Sequence, residues 1–361
     1  MQKKLLLLTT LLVLVSLIGL AQTRSDFSVI AYYTGDSETI DRYEVSKLTH
    51  IIFSFGHLKE GRFHIDNARD TATIKHLVSL KKQHPRLKIM LSLGGWGGCE
   101  LCSDVFSTVE GRAQFAQSFK AANDYFGTDG LDLDWEYPAI EGHPGHPYKP
   151  EDRPNFTALV VELRRVLGDQ QELSFAAGGF QHFLDESVDW QKIMPLLDRV
   201  NIMSYDLVNG YATVTGHHTP LYSVRPGEES TDRAVQYLLN LGVPAKKLVI
   251  GAAFYTRIWK NVAAKDDGRY QAGEHTRGYP FKQFETQLTP EKGWQYHYDE
   301  KAQAPYWYNA REKLYATGDD SRSVQAKTRY AHDNGLGGIM FWELTLDKER
   351  DGLLDTINPN N

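Results

Sequence analysis

Apolar runs of six to eight residues, each closed by Gly, Pro or a polar turn, recur along the chain from residue 27 onward. Those at 27–33, 48–55, 87–93, 130–136, 173–179, 200–205, 248–254 and 338–343 have the length and composition of buried strands. Between them, apolar residues fall three or four apart. Ile74, Leu77, Val78 and Leu80 form one such set; Phe156, Leu159, Val160, Leu163 and Leu167 a second; Ala234, Val235, Leu238 and Leu239 a third. That spacing lays one apolar stripe along a helix. Strand and helix alternating eight times predict an α/β chain whose parallel strands close into a (β/α)8 TIM barrel. An open doubly wound sheet is the competing arrangement, but the first strand lacks the G-x-G-x-x-G turn of a dinucleotide site.

Most strand starts lie about 20 to 50 residues apart, whereas the seventh and eighth are about 90 apart, more than one βα unit needs. The excess, about 259–320, is rich in Tyr, Trp and Gly and includes the alternating piece Gly293-Trp294-Gln295-Tyr296-His297-Tyr298. It predicts a small α+β insertion between strands 7 and 8, standing on the C-terminal rim. Active sites of such barrels open on that rim, so the insertion is expected to wall the cleft. Residues 22–361 otherwise read as one catalytic domain, with no linker, repeat or segment left over for a separate binding module.

Composition narrows the class. The 361 residues carry 40 Lys+Arg against 46 Asp+Glu, a net charge of −6, which argues against a nucleic-acid partner. Lys3 and Lys4 precede an apolar run at 5–20, and Gly19-Leu20-Ala21 supplies small residues for cleavage after Ala21. A signal peptide at 1–21 is therefore expected. An uncleaved membrane anchor is the rival reading, for which the run is short. The mature protein should be secreted (extracellular or periplasmic), free of the membrane, and a monomer. Export favours a local disulfide between Cys99 and Cys102 over a reactive dithiol, or over a metal site that would need further ligands. His143, His146, His217 and His218 lie in loops without supporting ligands, so neither metal nor cofactor is expected.

The chemistry concentrates in Asp129-Gly130-Leu131-Asp132-Leu133-Asp134-Trp135-Glu136. Alternation places Asp132, Asp134 and Glu136 on one strand face and Leu131, Leu133 and Trp135 on the other. Helices cover the outside of a barrel, so the apolar set faces out and the acids climb the lumen, roughly 6.6 Å apart. Three carboxylates so close in a desolvated space cannot all ionise, and at least one pKa must rise. A carboxylic acid held protonated near neutrality is a general acid.

Asp129-x-x-Asp132-x-Asp134-x-Glu136 resembles the D-x-x-D-x-D-x-E signature of glycoside hydrolase family 18, the chitinase family. Ser92-Leu93-Gly94-Gly95-Trp96 resembles its S-x-G-G motif, Met203-Ser204-Tyr205-Asp206 its M-x-Y-D, and Tyr255-Thr256-Arg257 its Y-x-R. Trp342 resembles the tryptophan that ends the eighth strand, and the insertion resembles the extra domain of the chitinase A-like branch. Tyr211 departs from the pattern, several relatives having Trp there, as does Thr256 where Gly is usual.

The resemblance implies an enzyme hydrolysing β-1,4-linked N-acetylglucosamine in chitin or its oligosaccharides, with retention. In such enzymes the substrate's own acetamido oxygen is the nucleophile. It implies Glu136 as acid/base, Asp134 as the partner of the acetamido N–H, Asp132 as proton-sharing neighbour, and Tyr205 as positioner. It implies substrate contacts from Tyr32, Phe55, Gly95, Trp96, Met203, Asp206, Tyr255, Arg257 and Trp342. An endo-β-N-acetylglucosaminidase acting on N-glycans and a non-catalytic chitinase-like lectin are the alternatives. The lectin reading sits poorly with a complete acid ladder.

Overall fold

The computed structural model describes residues 27–357; the signal expected at 1–21 lies outside them. Backbone pairing follows the apolar runs. In chain order the first strands are β1 (Ser28–Tyr33), β2 (His50–Lys59), its hairpin partner β3 (Arg62–His64), β4 (Lys88–Gly94) and β5 (Gly130–Asp134). Then come β6 (Glu172–Gly178), β7 (Arg199–Met203) and β8 (Leu248–Ala253). A second sheet holds β9 (Thr256–Lys260), β10 (Glu274–Arg277), β11 (Gln295–Asp299), β12 (Ala304–Asn309) and β13 (Leu314–Gly318), and β14 (Gly338–Trp342) returns to the first. β1 pairs in parallel with both β2 and β14, so β1, β2, β4–β8 and β14 close as the expected (β/α)8 barrel.

Helices fill the crossovers where the 3.6-residue stripe allows. They are α1 (Ala68–Leu80), α2 (Cys102–Phe106), α3 (Val109–Phe126), α4 (Asp152–Leu167), α5 (Gln181–Glu186), α6 (Trp190–Ile193), α7 (Thr231–Asn240), α8 (Phe284–Gln287), α9 (Ser321–Asp333) and α10 (Leu353–Ile357). Side-chain caps start α1, α3 and α7: Asn67 accepts from the Asp70 N–H, Thr108 from Gly111, and Ser230 from Arg233. Asp320 and Ser323 form a capping box on α9. The β1–β2 crossover departs from the alternation. Its segment is too short and polar for an apolar stripe, and it folds as two 3₁₀ turns, Ile40–Arg42 and Val45–Lys47.

Alternation along the strands sorts the core. Leu131, Leu133 and Trp135 point outward, where Trp135 packs on Phe106 and Phe156 in the layer between strands and helices. Each such side chain contributes roughly 1.5–3 kcal/mol when fully buried. The lumen holds a smaller apolar cluster that includes Ile30, Ile52, Met90, Val249 and Met340. At its N-terminal end, Glu172 neutralises a floor of His50, Lys88 and Arg199.

The second sheet is antiparallel, in the order β10-β9-β13-β12-β11, around Trp259, Tyr306, Tyr308 and Tyr315. β9 begins just past the end of β8, so this sheet stands on the C-terminal rim.

Candidate functional site

The acids climb β5 as the alternation requires. Asp132 is fully buried, and four donors converge on it. Tyr32 OH (2.9 Å) and Ser92 Oγ (3.2 Å) donate to one oxygen, Ser174 Oγ (2.6 Å) and Asn201 Nδ2 (3.0 Å) to the other. Desolvation still wins over these bonds and raises its pKa. Asp134, 3% exposed, has an Oδ1 that is buried with no partner. Desolvation, then the charges of Glu136 and Asp132, push its pKa well above the usual carboxylate range. The ladder ends at Asp134, short of the expected 130–136, so Glu136 stands above the last strand pair. Desolvation raises Glu136 to about 7, the Asp206 charge adding to the shift and a hydrogen bond from Tyr137 opposing it.

The loop after β7 supplies the facing wall. Tyr205 lays its ring over Gly251, where a Cβ would sit 2.8 Å from Tyr205 Cε1. The ring also meets Tyr255 edge-on, with centroids 6.3 Å apart. Asp206 takes a two-pronged bond from Arg257 (2.8 and 2.5 Å) on β9, tying barrel to insertion. Its backbone N–H donates to His218 Nδ1 (3.2 Å). Desolvation acts on Asp206 too, but Arg257 and His218 together hold its carboxyl well below the usual range.

Aromatic rings complete the cleft. Phe55 stacks on Trp342 at 5.6 Å and 16°. The approach needs a glycine at 95: its φ is +79° and a Cβ would lie 2.4 Å from the Phe55 ring. Gly94 is likewise constrained, since a Cβ there would lie 2.2 Å from the Asp134 carbonyl. Trp96, 38% exposed, meets Tyr137, His143 and Tyr211 at 6.3, 5.6 and 6.4 Å. Just behind this turn Cys99 and Cys102 are joined by a disulfide, their Cα atoms 5.1 Å apart. Trp96, Tyr211 and His143 bring the loops after β4, β7 and β5 together at one end of the cleft.

One expected substrate contact, Tyr32, sits deeper than the sequence placed it. Tyr32 is 1% exposed with its hydroxyl committed to Asp132, so it supports the ladder from beneath rather than walling the cleft. Met203 is buried in the luminal apolar cluster. Met203 closes β7 at its C-terminal end, and Tyr205 and Trp342 pack on the same cluster. Asp129 stays at the opposite end, bonded to Lys81 and to the Ile89 N–H.

Sequence reasoning missed Ser174, Asn201, Tyr137 and His218. Ser174 and Asn201 were findable as lone polar residues on the inward face of apolar strands. The sequence presents His218 only as a metal-ligand candidate, because its partner Asp206 is twelve residues away across an irregular loop. Among the described residues no three His, Cys, Asp or Glu side chains gather as a metal site.

A surface groove of about 580 Å³ opens between the segments after β1 and β14. It is lined by Arg42, Arg69, Lys282 and Lys348 among others, and holds none of the ladder acids.

Comparison with known proteins agrees with this geometry. Residues 28–347 match the model of glycosyl hydrolases family 18. Chitinase A1 of Niallia circulans is 34% identical over 301 residues, 77% of this chain and 43% of that protein, so the chain spans less than half of that relative. Chitotriosidase-1 of Mus musculus is 31% identical over 323 residues, 83% of this chain and 67% of that one. A solved family 18 N-acetylglucosaminidase from Paenibacillus barengoltzii superposes with a TM-score of 0.83 at 34% identity, covering 93% of this chain and all of that one. With the match running from the first barrel strand to beyond the last, the chain belongs to the glycosyl hydrolases of family 18.

Proposed function

We propose that this protein is a retaining chitinase that cleaves β-1,4 linkages between N-acetylglucosamine units with help from the substrate's own acetamido group. The observation that carries the reading is Asp134: a desolvated carboxyl, one oxygen unpartnered, set between a fully bonded Asp132 and a Glu136 shifted to about 7. An unsatisfied buried acceptor costs about 1–3 kcal/mol, which an incoming acetamido N–H would recover. The acetamido oxygen then attacks the anomeric carbon as the glycosidic bond breaks. Glu136 gives its proton to the departing oxygen, leaving an oxazolinium ion whose positive charge the new Glu136 carboxylate balances and whose N–H donates to Asp134. Water opens the ion on the same face, and Glu136 takes the proton from it, restoring the acid. Tyr205 holds the acetamido carbonyl in line, while Trp342 with Phe55 forms an apolar floor under the reacting sugar and Trp96 supports the leaving side.

The test is product analysis with anomer detection on N-acetylglucosamine hexamer. β-Anomeric dimers and trimers are expected. An inert hexamer beside a cleaved high-mannose glycopeptide would move the substrate to N-glycans, and silence on both would favour a lectin. The likeness to an N-acetylglucosaminidase of matching length supports a second outcome, monomer release from one chain end.

We also propose that the protein is exported and acts outside the cytosol as a monomer. The apolar run at 5–20 and the Cys99–Cys102 disulfide both support export. Intact mass after expression in a secreting host should correspond to a chain starting at Gln22 and lacking two thiol hydrogens. A mass retaining residues 1–21 would overturn it.

A further inference from the structure

A charged pair with no atom in the cleft stands at the joint between barrel and insertion. Lys327 of α9 and Asp319, just past β13, are both 0% exposed and 2.7 Å apart. Asp319 also accepts from the Ala253 N–H at the end of β8 (2.9 Å) and from Ser323 Oγ (2.7 Å). Lys327 Nζ reaches across to Thr219 Oγ1 at 2.5 Å. The Thr219 hydroxyl, its lone pair taken by the ammonium, has one proton and two acceptors in reach, the Ser204 carbonyl at 3.1 Å and Asp319 Oδ2 at 3.2 Å; that oxygen already accepts from Lys327 and the Ala253 N–H, which favours the carbonyl.

Ser204 precedes Tyr205 and is clamped on its other side: its Oγ accepts from the Gly251 N–H (3.0 Å) and donates to the Gly251 carbonyl (3.1 Å). Gly251 is the residue on which the Tyr205 ring rests. The residue before Thr219 is His218, which accepts from the Asp206 N–H and whose own carbonyl accepts from Leu207 N (3.0 Å). One buried ammonium thus anchors the segment that holds both Tyr205 and Asp206.

We propose that Lys327 is a positioning residue for the glycosidic reaction, acting through Thr219 to fix the Tyr205–Asp206 loop against β8. A buried ion pair is weak evidence for stability, since an apolar pair of similar volume often serves as well. Here one of its bonds, from Lys327 to Thr219, leads on through the Thr219 hydroxyl to the carbonyl of Ser204, the residue before Tyr205. The inference rests on the reading of Tyr205 and Asp206 given above.

Thr219→Val removes the hydroxyl link and keeps the ion pair. On N-acetylglucosamine hexamer its kcat should fall about tenfold while KM moves less than about threefold, because a loosened positioner costs mostly at the transition state. Thr219→Ser should restore the rate. In a Tyr205→Phe background the same Thr219→Val change should cost less than about twofold, since two parts of one device are not additive. Lys327→Met combined with Asp319→Asn, which removes both charges and leaves an acceptor for Ala253 N–H, should repeat the kcat loss. It decides the matter by the same figures if Thr219→Val does not fold. A folded Thr219→Val with kcat within twofold of wild type, or an undiminished loss in the Tyr205→Phe background, overturns the proposal. A wild type inert on the hexamer overturns the reading of the site and this inference with it; an active wild type with an indifferent variant overturns the positioning role alone.

Discussion

Glu136 and Asp206 are carboxyls of one cleft with opposite proton affinities. Desolvation governs the first and carries it to about 7, with the Asp206 charge adding to the shift. The second is desolvated as well, yet the Arg257 fork and His218 outweigh that and keep it ionised. Environments that drive two acids apart mark out their roles. Glu136 holds the proton and Asp206 stays charged, raising its neighbour's affinity for that proton. A general acid must be protonated in the free enzyme, so kcat/KM should fall on the alkaline side with an apparent pKa near 7. Glu136→Gln should lower kcat on the hexamer by about 10² to 10⁴. Calorimetric titration of hexamer onto that variant should show binding retained. Activity within tenfold of wild type would remove Glu136 from the acid/base role.

At the scale of the element, a strand tells more about which way a side chain points than about how deep it lies. Asp132, Asp134 and Glu136 were legible as a luminal row, and Trp135 as an outward core residue, because the period of two needs only the sequence. Depth was not legible. Tyr32 and Phe55 both meet the Trp342 ring, at 5.9 and 5.6 Å, yet only Tyr32 is fully buried, with its hydroxyl on Asp132. The shear of the barrel, which no single strand encodes, sets that difference. Alternation also stops where the ladder stops. Past Asp134 both Glu136 and its neighbour Tyr137 reach the site, and a strict period would have sent Tyr137 away. The turn after β4 shows how little tolerance such an element has. Gly95→Ala asks for a Cβ 2.4 Å from the Phe55 ring at a φ of +79°. Phe55 must then leave Trp342. KM for the hexamer is expected to rise about tenfold, the equivalent of about 1.4 kcal/mol. Stability should fall by about 1–3 kcal/mol in urea unfolding. An unchanged KM with an intact fold would show that the Phe55–Trp342 stack does not bear on substrate.

For the molecule as a whole, the site is a source of instability that depends on pH. Asp132, Asp134, Glu136 and, away from the cleft, Asp347 all have raised pKa values, desolvation being the leading cause in each; Asp347 reaches about 6. Each binds its proton more tightly folded than unfolded. The stability it gives is therefore complete below the unfolded value near 4 and is lost as pH rises through its folded value. Asp206 and Asp299 work in the opposite sense. Arg257 and His218 outweigh desolvation at Asp206, and a bond from His217 leads at Asp299, so both contribute above pH 4 and lose that contribution only in acid. The two sets together put the most stable pH near 4, where the first is still complete and the second already present. For Glu136 alone, a rise from 4.5 to about 7 corresponds to at most about 3 kcal/mol by pH 8, less what its partial exposure to water screens. The Tm should accordingly be lower at pH 8 than at pH 5.5, and Glu136→Gln, uncharged throughout, should narrow the gap by raising the Tm at pH 8. Relief of strain stored for function is a common route to stabilisation at the expense of activity. A Tm at pH 8 equal to or above that at pH 5.5, or a Glu136→Gln variant no more stable than wild type at pH 8, would show that the ladder is solvated well enough to ionise at little cost.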